Sequence, residues 1–203
     1  MNRGILILSA LAAGLLAGCG AARPSKYYQL TVPPGDMAPS AEHDPYPVTL
    51  LLGPLRAPHL YRDDHIVYSS THESMGTYEY ERWVEPPTEM LEDVLLRDLR
   101  ASGKYRAVEF LRSNSHGDYI LYGRLYDFKE VSAKPLVARL TVDLELHDAK
   151  TGSTVWTHYY SHDEPVDGKT VSAVVAALDR NAQRGMNEVK SSLDQYFSSR
   201  SSN

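Results

Sequence analysis

Hydrophobic and polar positions follow two rhythms along this chain, one of period two and one of three to four. The segment VTLLLGPL (48–55) is apolar and β-prone and halts at Gly53-Pro54, which predicts a buried strand. HIVYSS (65–70) and TYEYERW (77–83) carry tyrosine and β-branched residues on either side of a polar THESMG turn, and predict a hairpin. Pro86-Pro87 ends it. Met90, Leu91, Val94, Leu95 and Leu99 then recur at helical spacing, so 87–102 should be an amphipathic helix with Gly103 as its C-terminal cap. Strands are expected at 107–111 and 119–131. From Leu136 to His147 the alternation is strict. Leu136, Ala138, Leu140, Val142, Leu144 and Leu146 take one side, and Val137, Arg139, Thr141, Asp143, Glu145 and His147 the other. That period marks a sheet with one dry face. A turn at 149–153 leads to a partner strand at 155–160. Finally Val171, Val174, Val175, Leu178, Ala182, Met186, Val189, Leu193 and Tyr196 draw an apolar stripe down a helix of about 170–197. Residues 198–203, SSRSSN, read as a disordered tail. The order β-ββ-α-β-βββ-α predicts a single α+β domain over 47–197, an antiparallel or mixed sheet with two helices packed on one face.

The N-terminus has a different pattern. Arg3 is followed by an uncharged run, Gly4 to Gly18, too short for the roughly 20 residues a helix needs to cross a bilayer. A basic start, a short apolar stretch and small residues before a cut site describe a secretory signal peptide over 1–18. It ends Leu16-Ala17-Gly18-Cys19, which resembles a bacterial lipobox. The resemblance implies cleavage before Cys19 and acylation of its sulfur and its new amine. Several acyl chains on one residue give stable anchoring, where a single chain gives marginal binding. Cys19 is the only cysteine in the chain, so it forms no internal disulfide. Gly20 follows it in place of the Asp that often retains such lipoproteins in the inner membrane, which favours the outer membrane, facing the periplasm. Residues 19–46 then read as a lipid anchor and proline-rich tether, holding six of the twelve prolines among or just beyond them. One island, SKYYQL (25–30), reads as a short strand that docks the N-terminus on the body.

Composition narrows the chemistry. A formal net charge of −5 is a poor match to nucleic acid, which rewards clustered Lys and Arg. The eight histidines suggest no metal site, since His158 and His162 on one strand would stand about 13 Å apart. Asp63, Asp64, His65 and Glu73 could serve as acid and base, but adjacent acids in a polar loop read first as a solvated turn. There is no Gly-x-Ser-x-Gly elbow, and Gly-Lys-Thr at 168–170 lacks the upstream glycine of a phosphate loop. The expectation is a non-enzymatic protein without cofactor or metal. Fourteen tyrosines stand against three phenylalanines and two tryptophans. Most should pack across strands, and a minority should form a binding face for protein or lipid.

YRDDHIVY (61–68) and YEYERWVEPPTEMLEDVLLRDLRASGKYRAVE (78–109) go beyond generic pattern. They resemble the auxiliary lipoprotein component of ABC-type transport systems, a family whose members accompany transporters with mammalian-cell-entry (MCE) domains. The resemblance is carried by Tyr61, Arg62, Asp63, Ile66, Val67, Tyr68, Tyr78, Tyr80, Trp83, Glu85, Pro86 and Pro87, then Met90, Leu95 and Leu99. Ser69-Ser70 stand where a basic residue is expected. The physical reading of the motif is a strand-to-helix corner: Trp83 plugs the space between sheet and helix, and Pro87 opens the helix without losing a needed donor. The resemblance implies an outer-membrane-tethered docking subunit of a lipid transporter in a Gram-negative-type envelope. Its partners would be an MCE-domain protein with an ABC permease and ATPase, and it could stand as a ring of identical subunits. Two other readings stay open: an accessory lipoprotein of envelope assembly or secretion, and a periplasmic hydrolase using Asp63, Asp64 or His65.

Overall fold

The computed structural model describes residues 23–31, 46–71 and 73–201. The signal peptide, Cys19, most of the proline-rich stretch, His43, His72 and residues 202–203 lie outside the described residues. Eight strands form one mixed sheet: β1 (Lys26–Tyr28), β2 (Tyr46–Arg56), β3 (His65–Ser69), β4 (Met75–Trp83), β5 (Tyr105–Phe110), β6 (Tyr119–Val131), β7 (Val137–Asp148) and β8 (Thr154–Pro165). Two helices, α1 (Pro87–Ala101) and α2 (Val171–Ser201), complete a single α+β domain.

The strict alternation of β7 does what it predicts. Ala138, Leu140, Val142, Leu144 and Leu146 are buried, while Arg139, Asp143 and Glu145 reach solvent. The stripe of α2 covers the dry side of β7 and β8, burying Val174, Leu178, Ala182, Met186, Val189 and Leu193. α1 buries Met90, Leu91, Val94, Leu95 and Leu99 against β2 and β5. Gly103, at φ 63°, takes the left-handed turn that ends it. Gly185 lets α2 approach the sheet, because a Cβ there would stand 3.0 Å from the ring of Tyr160.

β6 organises the sheet. One edge pairs with β7 in antiparallel fashion along its whole length. The other edge is shared end to end: Tyr119–Arg124 pair with β2, and Lys129–Val131 pair with β3, both parallel. Where β2 slips register after Gly53-Pro54, the Leu55 N–H turns to the Glu92 carboxylate of α1 at 2.7 Å. The predicted hairpin is β3–β4.

Several boundaries move, each for a physical reason. β8 continues past 160 because Ser161–Pro165 keep pairing with Val137–Thr141. α2 continues through Ser198, Ser199, Arg200 and Ser201, residues expected to be tail. Phe197 explains this: its buried ring meets Tyr46, Tyr105, Tyr119 and Tyr196 at 5.0–5.5 Å, so the end of α2 is packed. Within the tether expected over 19–46, SKYYQL docks on the body, as its pattern suggested. Lys26–Tyr28 add to β4 as a parallel strand, Leu30 is buried, and the Thr31 N–H donates to Asp179 of α2 at 2.8 Å.

Candidate partner-binding face

With α1 and α2 on one side, no described element covers the other side of β6, β7 and β8. The outward residues of β7 meet those of β8 in register: Arg139 opposite Asp163, Thr141 opposite Ser161, Asp143 opposite Tyr159. Arg139 makes a forked pair with Asp163, Nε to Oδ1 at 2.6 Å and Nη2 to Oδ2 at 2.7 Å. These bonds to Arg139 hold the Asp163 carboxyl below its ordinary value. Around the pair opens a cleft of about 720 Å³, lined by Tyr126, Asp127, Arg139, Thr141, Tyr159, Ser161, His162 and Asp163. Tyr159 and Tyr126 are 64 % and 42 % exposed, far more than core tyrosines such as Tyr61 and Tyr160. Tyr126 also borders a second cleft, of about 390 Å³, with Arg56, Tyr122, Arg124, Asp143, Glu145 and His147. The Arg124 guanidinium lies 5.4 Å from the Tyr126 ring centre. Both signs of charge interleave with amphipathic rings across this face. Such a surface suits a protein partner of mixed charge better than a nucleic acid or an acyl chain.

The signature residues fall into different places. Tyr61 is buried at the end of a 3-10 turn, His59–Tyr61. Burial, and then the neighbouring Asp127, pushes its hydroxyl up. Ile66 and Val67 are core. Tyr68 and Tyr78 pack ring to ring at 5.1 Å, and the Tyr78 hydroxyl donates to buried Glu130 at 2.6 Å. Of the two serines that stand where a basic residue is expected, Ser69 is buried, its hydroxyl bonded to the Thr71 carbonyl at 2.6 Å, and Ser70 is exposed. Trp83 is fully buried against Phe128, with ring centres 5.4 Å apart. Its backbone N–H donates to the Asp64 carbonyl at 2.6 Å. The Pro86 carbonyl accepts from Glu89 and Met90, and Pro87 is the first helical residue of α1. This is the strand-to-helix corner the motif implied. Arg62 and Glu85 are exposed, and Tyr80 lies under the guanidinium of Arg23 at 5.3 Å.

Asp63, Asp64 and His65 converge, with one ligand atom of each within 4.8 Å of the others. Their groups are already engaged. His65 Nδ1 meets Asp63 at 2.5 Å, and Arg82 donates to Asp64 at 2.7 Å. The bond with His65, then one with Asp64, holds the Asp63 carboxyl down at about 2. A guanidinium within the cluster opposes a cation there, and no hydroxyl or thiol nucleophile bonds to His65 among the described residues. The cluster fixes the start of β3 against the end of β4, where His65 pairs with Arg82. His158 and His162, by contrast, do not converge: His158 stacks on Trp156 at 5.7 Å, and His162 meets Glu164 at 3.4 Å.

The Arg139–Asp163 pair escaped the sequence reading. The alternation placed Arg139 on the wet side of β7, but the sequence did not give the register that sets Asp163 opposite it.

Known proteins place this architecture. The crystal structure of protein XCC0632 from Xanthomonas campestris superposes with a TM-score of 0.74 at 21 % identity, covering 87 % of this chain and 99 % of that one. An uncharacterised protein of solved structure gives 0.63 at 12 % identity, covering 82 % and 97 %. At these identities the likeness shows the fold alone. The PelC dodecamer from Paraburkholderia phytofirmans aligns at 0.42 with 13 % identity, over 68 % of this chain and 87 % of that one, too loosely to bear on assembly or function. No curated protein matches the chain significantly. A profile of the ABC-type transport auxiliary lipoprotein component family matches residues 28–189. The chain belongs to the ABC-type transport auxiliary lipoprotein component family.

Proposed function

We propose that this protein is a lipid-anchored, non-enzymatic docking subunit of an ABC-type transport system that moves lipids between the envelope membranes through an MCE-domain conduit. Acylated Cys19 holds it to the outer membrane on the periplasmic side, and the permease and ATPase supply the energy. The observation that carries the reading is the uncovered face of β6–β8. It presents exposed Tyr126 and Tyr159 around a fixed Arg139–Asp163 pair, and its clefts are lined by charged and hydroxyl groups. Such a face grips another protein and holds no acyl chain. Family membership supports an association with ABC-type transport.

The test uses the full-length lipoprotein, extracted gently from its own cells and purified by affinity, with mass spectrometry of what accompanies it. Recovery of an MCE-domain protein with permease and ATPase is expected. Tyr159→Ala combined with Arg139→Glu should abolish that recovery while leaving the thermal midpoint within a few degrees. Recovery of assembly or secretion machinery instead refutes the transporter reading. Cys19→Ser should move the protein from the membrane to the soluble fraction, and unchanged membrane fractionation would refute the anchor.

A further inference from the structure

We propose that the β1–β4 edge of the sheet is the membrane-facing edge, seated on the phospholipid headgroup layer. The inference rests on Cys19 being the acylated residue. Arg23, where the described N-terminal segment begins, is only four residues further on. Four residues span at most about 14 Å even when fully extended. From Arg23 the chain is fixed to the body. Lys26, Tyr27 and Tyr28 pair with Glu81, Arg82 and Trp83, and Val84 donates back to the Tyr28 carbonyl at 2.8 Å. Leu30 is buried, and Asp179 and Gln183 of α2 clamp the backbone of Thr31. No long tether therefore separates the acyl chains from the fold, and the edge that carries β1 must stand at the bilayer.

The chemistry of that edge agrees. Tyr27 and Val84 are 61 % and 49 % exposed, large apolar groups left in water by the isolated domain. Tyrosine favours the interfacial zone, where its ring is half desolvated and its hydroxyl stays wet. Lys26 is exposed beside them, with an apolar stem and a terminal charge suited to the same zone. The charges of the edge nearly balance. Glu81 accepts from Tyr28 at 2.7 Å and faces Lys26 at 3.8 Å, while Glu79 and Glu85 offset Arg23. The seat thus depends on interfacial insertion beside the anchor and only weakly on anionic lipid. β8 is five strand spacings from β1 along β1-β4-β3-β6-β7-β8, a path of roughly 24 Å measured along the sheet, and Tyr159 points to the face opposite α2, the helix that holds Thr31 and receives Tyr160. The tyrosine face around Tyr159 is then carried away from the bilayer, toward the periplasm.

The experiment uses the full-length acylated protein in vesicles of phosphatidylethanolamine and phosphatidylglycerol. Single reporter cysteines are introduced as Tyr27→Cys, Val84→Cys or Tyr159→Cys and labelled with a fluorophore, since acylated Cys19 does not react. Brominated lipids then quench the label. Strong quenching at 27 and 84, with little at 159, is expected, and it should change little when phosphatidylglycerol is omitted. Equal quenching at all three sites, or stronger quenching at 159, in protein whose intact mass shows acylated Cys19, overturns the edge assignment alone. An intact mass with a free Cys19 thiol overturns the anchor reading, and the edge assignment falls with it.

Discussion

Asn181 ties α2 to the sheet from within, and its replacement by alanine gives a sharp test of how this domain holds together. The side chain is fully buried on the dry side of the sheet. Its amide nitrogen donates to the Ala138 carbonyl of β7 at 2.9 Å and to the His162 carbonyl of β8 at 2.8 Å. Its oxygen accepts the Tyr160 hydroxyl at 2.6 Å, a hydroxyl that burial pushes up to about 12. Truncation leaves two carbonyls and a hydroxyl short of a partner. A buried polar group left unpaired costs about 1–3 kcal/mol, but each carbonyl has a second lone pair, and Tyr160 keeps a longer bond to the Asn181 carbonyl at 3.3 Å. The low end of the range applies, and Asn181→Ala should cost about 3–4 kcal/mol. At about 2–4 °C per kcal/mol for a domain of this size, the thermal midpoint should fall by roughly 6–16 °C. Urea unfolding followed by tryptophan fluorescence measures the loss, with an unchanged slope if two-state behaviour is kept. Asn181→Leu restores the volume but not the bonds and should be about as damaging. Tyr160→Phe alone should cost about 1 kcal/mol, and a double-mutant cycle with Asn181→Ala should show coupling of about 1 kcal/mol. A loss below about 1 kcal/mol for Asn181→Ala, or strict additivity in the cycle, would refute the reasoning.

Three further expectations concern the corner, the helix end and acid. Trp83→Ala should cost about 3–5 kcal/mol by chemical unfolding, whereas Trp83→Phe should cost much less. The indole N–H is buried with no partner among the described residues, so losing it carries no hydrogen-bond penalty. Phe197→Ala should cost about 3–5 kcal/mol and raise amide exchange through the last turns of α2, while protection confined to its earlier turns in the unmutated protein would contradict the aromatic cluster. Burial alone would push the Glu164 carboxyl up, but its bonds to Arg180 and Arg184 hold it below its ordinary value. Its stabilising contribution is then complete above the unfolded-state value of about 4.3 and is lost as pH falls through the lower folded value. Stability scanned by urea from neutral pH into the acid range should fall more steeply in the unmutated protein than in Glu164→Gln, and equal slopes would sink the assignment.

How much was readable in advance depends on whether a residue's role is local. Helix α1 matches its expected span to within a residue, because Pro86-Pro87 and Gly103 are punctuation that acts on the adjacent backbone. The alternation of β7 was readable for the same reason. Pairing is not local. Nothing in SKYYQL names β4 as its neighbour, and nothing in β6 announces that two strands share one of its edges. Asn181 interrupted an apolar stripe without declaring that it reaches two carbonyls of the sheet. The binding face was legible only in part. The surplus of tyrosine pointed to one, but separating exposed Tyr159 from buried Tyr160 takes the strand register, and joining Arg139 to Asp163 takes the pairing of β7 with β8.

The clamp on Thr31 also sets an order of events. It joins residues 148 positions apart, and β1 needs residues 81–83 before it can pair. Contacts this distant in the chain are late to form, because loop closure must be completed before they contribute. Until α2 exists, β1 can pair with β4 but the backbone of Thr31 has nothing to clamp it. With Cys19 as the anchor, an incompletely folded chain hangs on a leash from Cys19 to Tyr46, which as a flexible coil would range over roughly 30 Å. Pairing of β1 with β4, locked by the α2 clamp on Thr31, would shorten that leash to the few residues before Arg23. On the proposed acylation of Cys19, folding would reel the domain onto the bilayer, and its height above the membrane would report whether the N-terminal strand has docked.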